Sequence, residues 1–326
     1  MEENLFDIQM YAAEKNKYQK LAAKFGLAMI VLVLNNFIAP LFFVVIAALF
    51  STGDELSYYA VMIINALSAY TFPILIFWFM FRDECKAFVP DRTYKPFLGE
   101  AVMLFTAGMA MGVVGNIITL IINAFMDFVF NTGQIEEAFA GMKPQNMSEF
   151  AIYAFCICIV APIAEEFIFR NLLLKPLRAY SDMTAAIVSG LIFGLYHANF
   201  DQFAYAFLLG VFFAAIAVRY NSILPTILLH AVNNVIVTFG YDLMGACNGI
   251  SQEAKAFCQD FSAVCSFFST VLTPIGFIAL FVCIFKKCLA LHHHNRYVPA
   301  NRVFLEFVKV PLVIIGIIVM FVPFFV

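Results

Sequence analysis

The feature that most restricts this chain is a set of apolar runs that no charged side chain interrupts. Phe25–Phe50 is one such run of 26 residues, and Tyr59–Phe81 is another of 23. A hydrocarbon layer about 30 Å thick is crossed by about 20 residues of α-helix, so runs of this length are read as membrane spans. Lipid offers no water to satisfy free backbone N–H and C=O groups, which leaves helices or closed barrels as spanning structures. Barrel strands would alternate in polarity over segments of about ten residues. These runs are instead continuous and rich in Leu, Ile, Phe and Ala, and helices follow. The charge content agrees: 63% of the 326 residues are hydrophobic and 13% are charged, about half the charge of a soluble domain. A net charge of −3 supplies no basic surface for nucleic acid.

The pattern predicts an all-α, polytopic transmembrane helical bundle of about eight or nine spans. They fall near 25–50, 59–81, 97–130, 150–174, 183–199, 203–219, 222–240, 263–285 and 303–326. Residues 1–24 read as a polar cytoplasmic segment, and 25–326 as a single transmembrane domain. Met1–Lys24 has no short apolar core ahead of a small-residue cleavage site, so an uncleaved first span is expected. The run at 97–130 is too long for one straight crossing and predicts tilt, a kink or an interfacial turn. Within it Gly108 and Gly112 have small-xxx-small spacing, which lets a neighbouring helix approach closely. No internal repeat is visible, which weakens a transporter reading built on duplicated halves.

Lys and Arg concentrate on the cytoplasmic side of membrane proteins. Placing the N-terminus inside puts fifteen of the 19 there and only Lys143 and Lys255 outside, with Arg170 and Lys309 in or near spans. Eight cysteines are present. Cys247 and Cys258 share a predicted outer loop, and a disulfide between them is a hypothesis for an oxidising compartment. Mass spectrometry finding both thiols free would end it.

An ionisable group at the centre of a span costs about 2.5–3.5 kcal/mol or more, so each one needs a reason. The fourth span carries Glu165, Glu166 and Arg170. Glu166 and Arg170 are four apart and can pair on one helix face. Glu165, about 100° around the helix, has no partner in its own segment, which suits a proton acceptor or one member of an ion network. His197 lies in the fifth span. His230 and Asn234 lie in the seventh with i,i+4 spacing, so they project from one face and could both donate to a developing oxyanion. The remaining histidines, His292, His293 and His294, form a run after the eighth span and read as an interfacial cluster or a weak metal site.

Glu165-Glu166-x-x-x-Arg170, then Phe193-x-x-x-His197, then His230-x-x-x-Asn234, in order across apolar spans, resemble the CPBP intramembrane proteases. That family includes the CAAX prenyl endopeptidases of the Rce1 type and bacterial relatives linked to bacteriocin processing or immunity. The resemblance covers about residues 150–240. It implies a multi-pass protease, of a bacterial cell membrane, that acts on a peptide or protein such as a lipidated C-terminus or a leader peptide. It implies that Glu165 activates water and that His197 helps to position it or share its proton. His230 and Asn234 would stabilise the oxyanion, and Glu166 with Arg170 would hold the site's shape.

Other intramembrane proteases lack their motifs here. No His-Glu-x-x-His occurs, the spans offer no convincing aspartate pair, and no Gly-x-Ser-Gly is present. No cofactor is favoured, although Glu165, His197 and His230 form a His₂Glu set adequate for zinc. The rival from another class is a non-catalytic immunity or binding protein, or a proton-coupled transporter using Glu165 and the histidines as a relay.

Overall fold

The computed structural model describes residues 2–50, 57–87, 98–130 and 143–324 and is helical throughout its spans. We number the helices α1 (Glu2–Phe50), α2 (Tyr58–Ala87), α3 (Leu98–Phe130), α4 (Met147–Arg178), α5 (Asp182–Tyr196), α6 (Phe200–Tyr220), α7 (Leu224–Val237), α8 (Gln252–Phe285), α9 (Ala300–Val308) and α10 (Pro311–Phe321). Seven of the described helical segments are long and apolar enough to cross a membrane, α7 counting together with the turns that carry it on to Ala246, or eight if α9 and α10 are one span. The chain is a multi-pass integral membrane protein.

Three expectations need adjustment. The polar residues before Lys24 continue the first span as one 49-residue helix, about 73 Å long, so its N-terminal part extends well beyond the hydrocarbon. The fifth span is shorter than expected. Its helix has 15 residues and ends at Tyr196 in a three-residue turn, where Ala198 takes φ 56° and Asn199 caps α6 by accepting from Gln202 N. The last span, expected unbroken over 303–326, is bent by 65° between α9 and α10. Pro311, at the start of α10, cannot donate the backbone N–H that a continuous helix would use.

Two bodies of packed side chains result. One gathers Tyr18, Phe25 and Met29 of α1, Phe77 and Phe81 of α2, Phe169 of α4, Ile192 of α5, Phe307 of α9 and Val313 of α10. The other gathers Leu104 of α3, Phe212 and Phe213 of α6, and Ala279 of α8. α3 runs 33 residues without an internal proline and lies along α6. The Gly108–Gly112 face does receive a neighbour: a Cβ at Gly112 would stand 3.1 Å from the Tyr205 ring, and one at Gly115 only 2.6 Å from the Tyr205 Cα.

The ends predicted to be cytoplasmic meet in one polar layer. Glu306, 2% exposed, pairs with Lys15 at 3.2 Å and Lys309 at 3.5 Å. Asn295 donates to Glu14 at 3.1 Å. Asp182 accepts from Arg178 Nε, from His294 Nε2 and from His292 N–H. The histidine run is thus tied to the start of α5 rather than free in solvent. Arg92 and Lys95, counted for orientation, lie outside the described residues. At the opposite end Cys247 and Cys258 share a small core with Phe150 and Leu243, and both are free thiols.

Candidate active site

Glu165 and Glu166 sit between two places where α4 widens into π-helical turns, Cys156–Val160 before them and Phe167–Leu173 after. Pro162 explains the first, because its missing N–H and its ring disturb the i→i−4 ladder. Such wide turns recur at functional sites. Both carboxylates are buried, at 7% and 0% exposure.

Glu166 has a neighbour at each oxygen. Its Oε2 forms an ion pair with Arg170 Nε at 3.3 Å, and its Oε1 accepts from His230 Nδ1 at 3.2 Å. The expected i,i+4 pair is therefore present, and neither side chain reaches solvent. Arg170 also donates from Nη1 to Ser189 Oγ at 3.0 Å, while Ser189 donates to Phe169 O at 2.8 Å. The guanidinium stands 5.0 Å from the Phe193 ring centroid, a cation–π distance.

Glu165, without a partner in its own segment, finds one on another helix. Tyr70 of α2 donates to its Oε1 at 2.8 Å. Its Oε2 lies 3.7 Å from His230 Nε2, longer than a hydrogen bond, so the two are neighbours rather than bonded. His197 is the first residue past α5 and aligns its Nδ1 with Phe193 O at 2.9 Å. A carbonyl oxygen only accepts, so Nδ1 carries the hydrogen and Nε2 of the neutral ring is an acceptor.

His230 and Asn234 do project from one face of α7, and both meet α4. Asn234 donates to Ile157 O at 2.9 Å, a carbonyl in the first widened turn. The six residues expected from the motifs thus come together, and Glu165, His197, His230 and Asn234 line one cavity of 1200 Å³. Among the described residues no three His, Cys, Asp or Glu side chains converge as a metal-binding group. His230 turns Nδ1 to Glu166 and His197 turns Nδ1 to its own helix, which leaves Nε2 of each ring as the nitrogen without a bond to those partners.

Sequence reasoning did not find Tyr70, Ser189 or Asn35. Each is an uncharged residue in an apolar helix, with no polar partner at i,i+4 spacing that marks it. The hydroxyl of Tyr70, in a span otherwise free of charge, was the signal available.

Residues 147–236 match the model of the family described as type II CAAX prenyl endopeptidase Rce1-like. No curated protein and no solved structure matches the chain. The matched stretch begins with the first residue of α4 and ends within α7, so it contains all six motif residues. It supports an intramembrane endopeptidase.

Proposed function

We propose that this Rce1-like chain is an intramembrane endopeptidase in which Glu165 activates a water molecule against a peptide carbonyl. The observation that carries the reading is the convergence of Glu165, His197 and His230 on one cavity, within the stretch that matches the family. Tyr70 occupies Oε1 of Glu165 and leaves Oε2 as the base. Glu165 takes one proton from water as the water oxygen bonds to the carbonyl carbon. The C–N bond then breaks as that proton passes to the leaving nitrogen, giving an amine and a carboxylic acid, whose remaining proton is lost to the amine or to water. His197, holding a hydrogen on Nδ1, offers Nε2 to receive and return the proton.

The oxyanion needs donors. His230 donates Nε2–H when its ring carries both hydrogens, with Glu166 as the counter-ion on Nδ1. Asn234 has two amide hydrogens, and one is already on Ile157 O; the second serves the oxyanion. Glu166 and Arg170 act as positioning residues that hold the His230 ring. The scheme uses no metal. Full activity after chelation is the expected result, and one zinc per chain in pure active protein would reverse it.

The substrate is a membrane-associated peptide or protein, for which a lipidated C-terminus and a leader peptide are the two forms the resemblance suggests. The N-terminus lies in the cytoplasm, on the asymmetry of Lys and Arg. Cleavage of a peptide library by detergent-purified wild type and Glu165→Gln tests the assignment. A base contributes about 10²–10⁴-fold, so the variant should lose at least a hundredfold while remaining folded. Equal cleavage by both proteins would remove Glu165 from its role. Cleavage by neither would favour a binding or immunity protein.

A further inference from the structure

The cavity is larger than the cluster around Glu165 requires. It continues past Tyr70, Ser68, Asn65 and Met62 of α2 and past Asn35 and Asn36 of α1, two helices outside the family-matched stretch. Polar side chains in apolar spans are costly unless they find partners. On the facing wall the amides have them. Asn199 donates to His197 O at 2.7 Å and Asn233 donates to Tyr205 Oη at 2.8 Å.

On the α1–α2 wall Asn35 is engaged at one end. Asn35 is 6% exposed and donates its Nδ2 to Ser68 O at 2.8 Å. That bond identifies the two ends of the amide, since a carbonyl accepts only, and makes Oδ1 the end left over. Among the described residues nothing donates to that Oδ1. Ser68 itself is 3% exposed, and among the described residues its Oγ has no hydrogen-bond partner. The wall therefore pairs an acceptor with a hydroxyl donor, complementary to the N–H and C=O of a peptide main chain. Asn65 and Met62 precede Tyr70 by five and eight residues, about 7.5 and 12 Å farther along α2. An extended chain covers about 3.3–3.6 Å per residue, so the wall matches about three residues.

We propose that α1 and α2 form a backbone-reading subsite, in which Asn35 Oδ1 and Ser68 Oγ hydrogen-bond the main chain of an extended peptide beside the bond cut at Glu165. The inference rests on the endopeptidase reading and names the part of the substrate it recognises. Main-chain bonds at these positions favour extended shape over particular side chains.

The test uses one cleaved library peptide and analogues in which single amides near the cut are replaced by esters, removing one N–H at a time. Wild type should lose about tenfold in kcat/KM, through KM, at one ester position. Asn35→Leu should lose the same factor on the parent peptide and nothing further on that ester, and Ser68→Ala should lose affinity without becoming sensitive to a different ester. Unfolding temperatures identify any variant that has simply lost its fold. Binding of the fluorescent parent peptide to Glu165→Gln supplies a readout without turnover. Losses from ester and Asn35→Leu that multiply, or no sensitive ester at all, would overturn the subsite while leaving cleavage intact. Asn35-dependent binding with no cleavage by wild type would keep the subsite and overturn the endopeptidase reading. Neither binding nor cleavage would overturn both.

Discussion

Glu166 and Asp182 stand at the centres of two similar trios. Each is four residues from an arginine and shares its second oxygen with a histidine: Arg170 and His230 around Glu166, Arg178 and His294 around Asp182. Their surroundings differ. The trio at Asp182 lies at the polar end of the bundle, where the N–H of His292 adds a bond and the His294 side chain is 37% exposed. At Glu166 the acid and its arginine are closed off from solvent, His230 alone reaches the cavity, and beside it stands a second acid on the cavity wall. The same ionic unit thus ties helix ends together in one place. In the other it holds a ring next to a carboxylate that, among the described residues, has only a tyrosine for a hydrogen-bond partner.

If that distinction holds, Arg170→Met should have the largest effect. Removing one partner of a buried pair costs about 3–5 kcal/mol, so cleavage should vanish and the unfolding temperature in detergent should fall steeply. Arg170→Lys should not restore activity, because an ammonium lacks the fork that reaches Ser189 and Glu166 together. Asp182→Asn should lower stability by about 1–3 kcal/mol, the range for one unsatisfied buried partner. Cleavage per folded molecule should be retained, and its loss would mean that both trios serve the reaction. Tyr70→Phe should slow cleavage about tenfold or more, since bonds to charged groups carry about 1.5–3 kcal/mol, with little change in unfolding temperature. The smallest effect concerns Cys247, whose thiol is pushed up to about 11 by burial and then by Cys258. Its neutral form is favoured below that value, so maleimide labelling followed by mass spectrometry should be slow at pH 8 and rise as the pH approaches 11.

Much of this was legible in the chain. The spans followed from the cost of charge in lipid, and the pairing of Glu166 with Arg170 followed from one turn of helix. So did the shared face of His230 and Asn234. What escaped depends on which helix stands next to which. Tyr70 reaches Glu165 across 95 residues of sequence, and Ser189 meets Arg170 only because α5 packs on α4. Asn35 reads as half of an Asn–Asn pair in an apolar run until Ser68 O is seen to hold it. The break before Pro311 was legible as a proline, but not as a 65° bend, which the packing of α10 along α1 determines.

The Arg178–Asp182 bond joins the end of α4 to the start of α5. Counted from that joint, Glu165 lies 13 residues up one arm and His197 lies 15 up the other, about 20 and 22 Å along the helices. Their relative height is therefore set by a covalent ruler pinned at one membrane face, not by the thickness of the lipid. A thicker or thinner bilayer would be met by tilt or local deformation around the bundle, while the two side chains stay in register. The short covalent turn between the two arms is what would let the reacting groups keep their alignment in membranes of different composition.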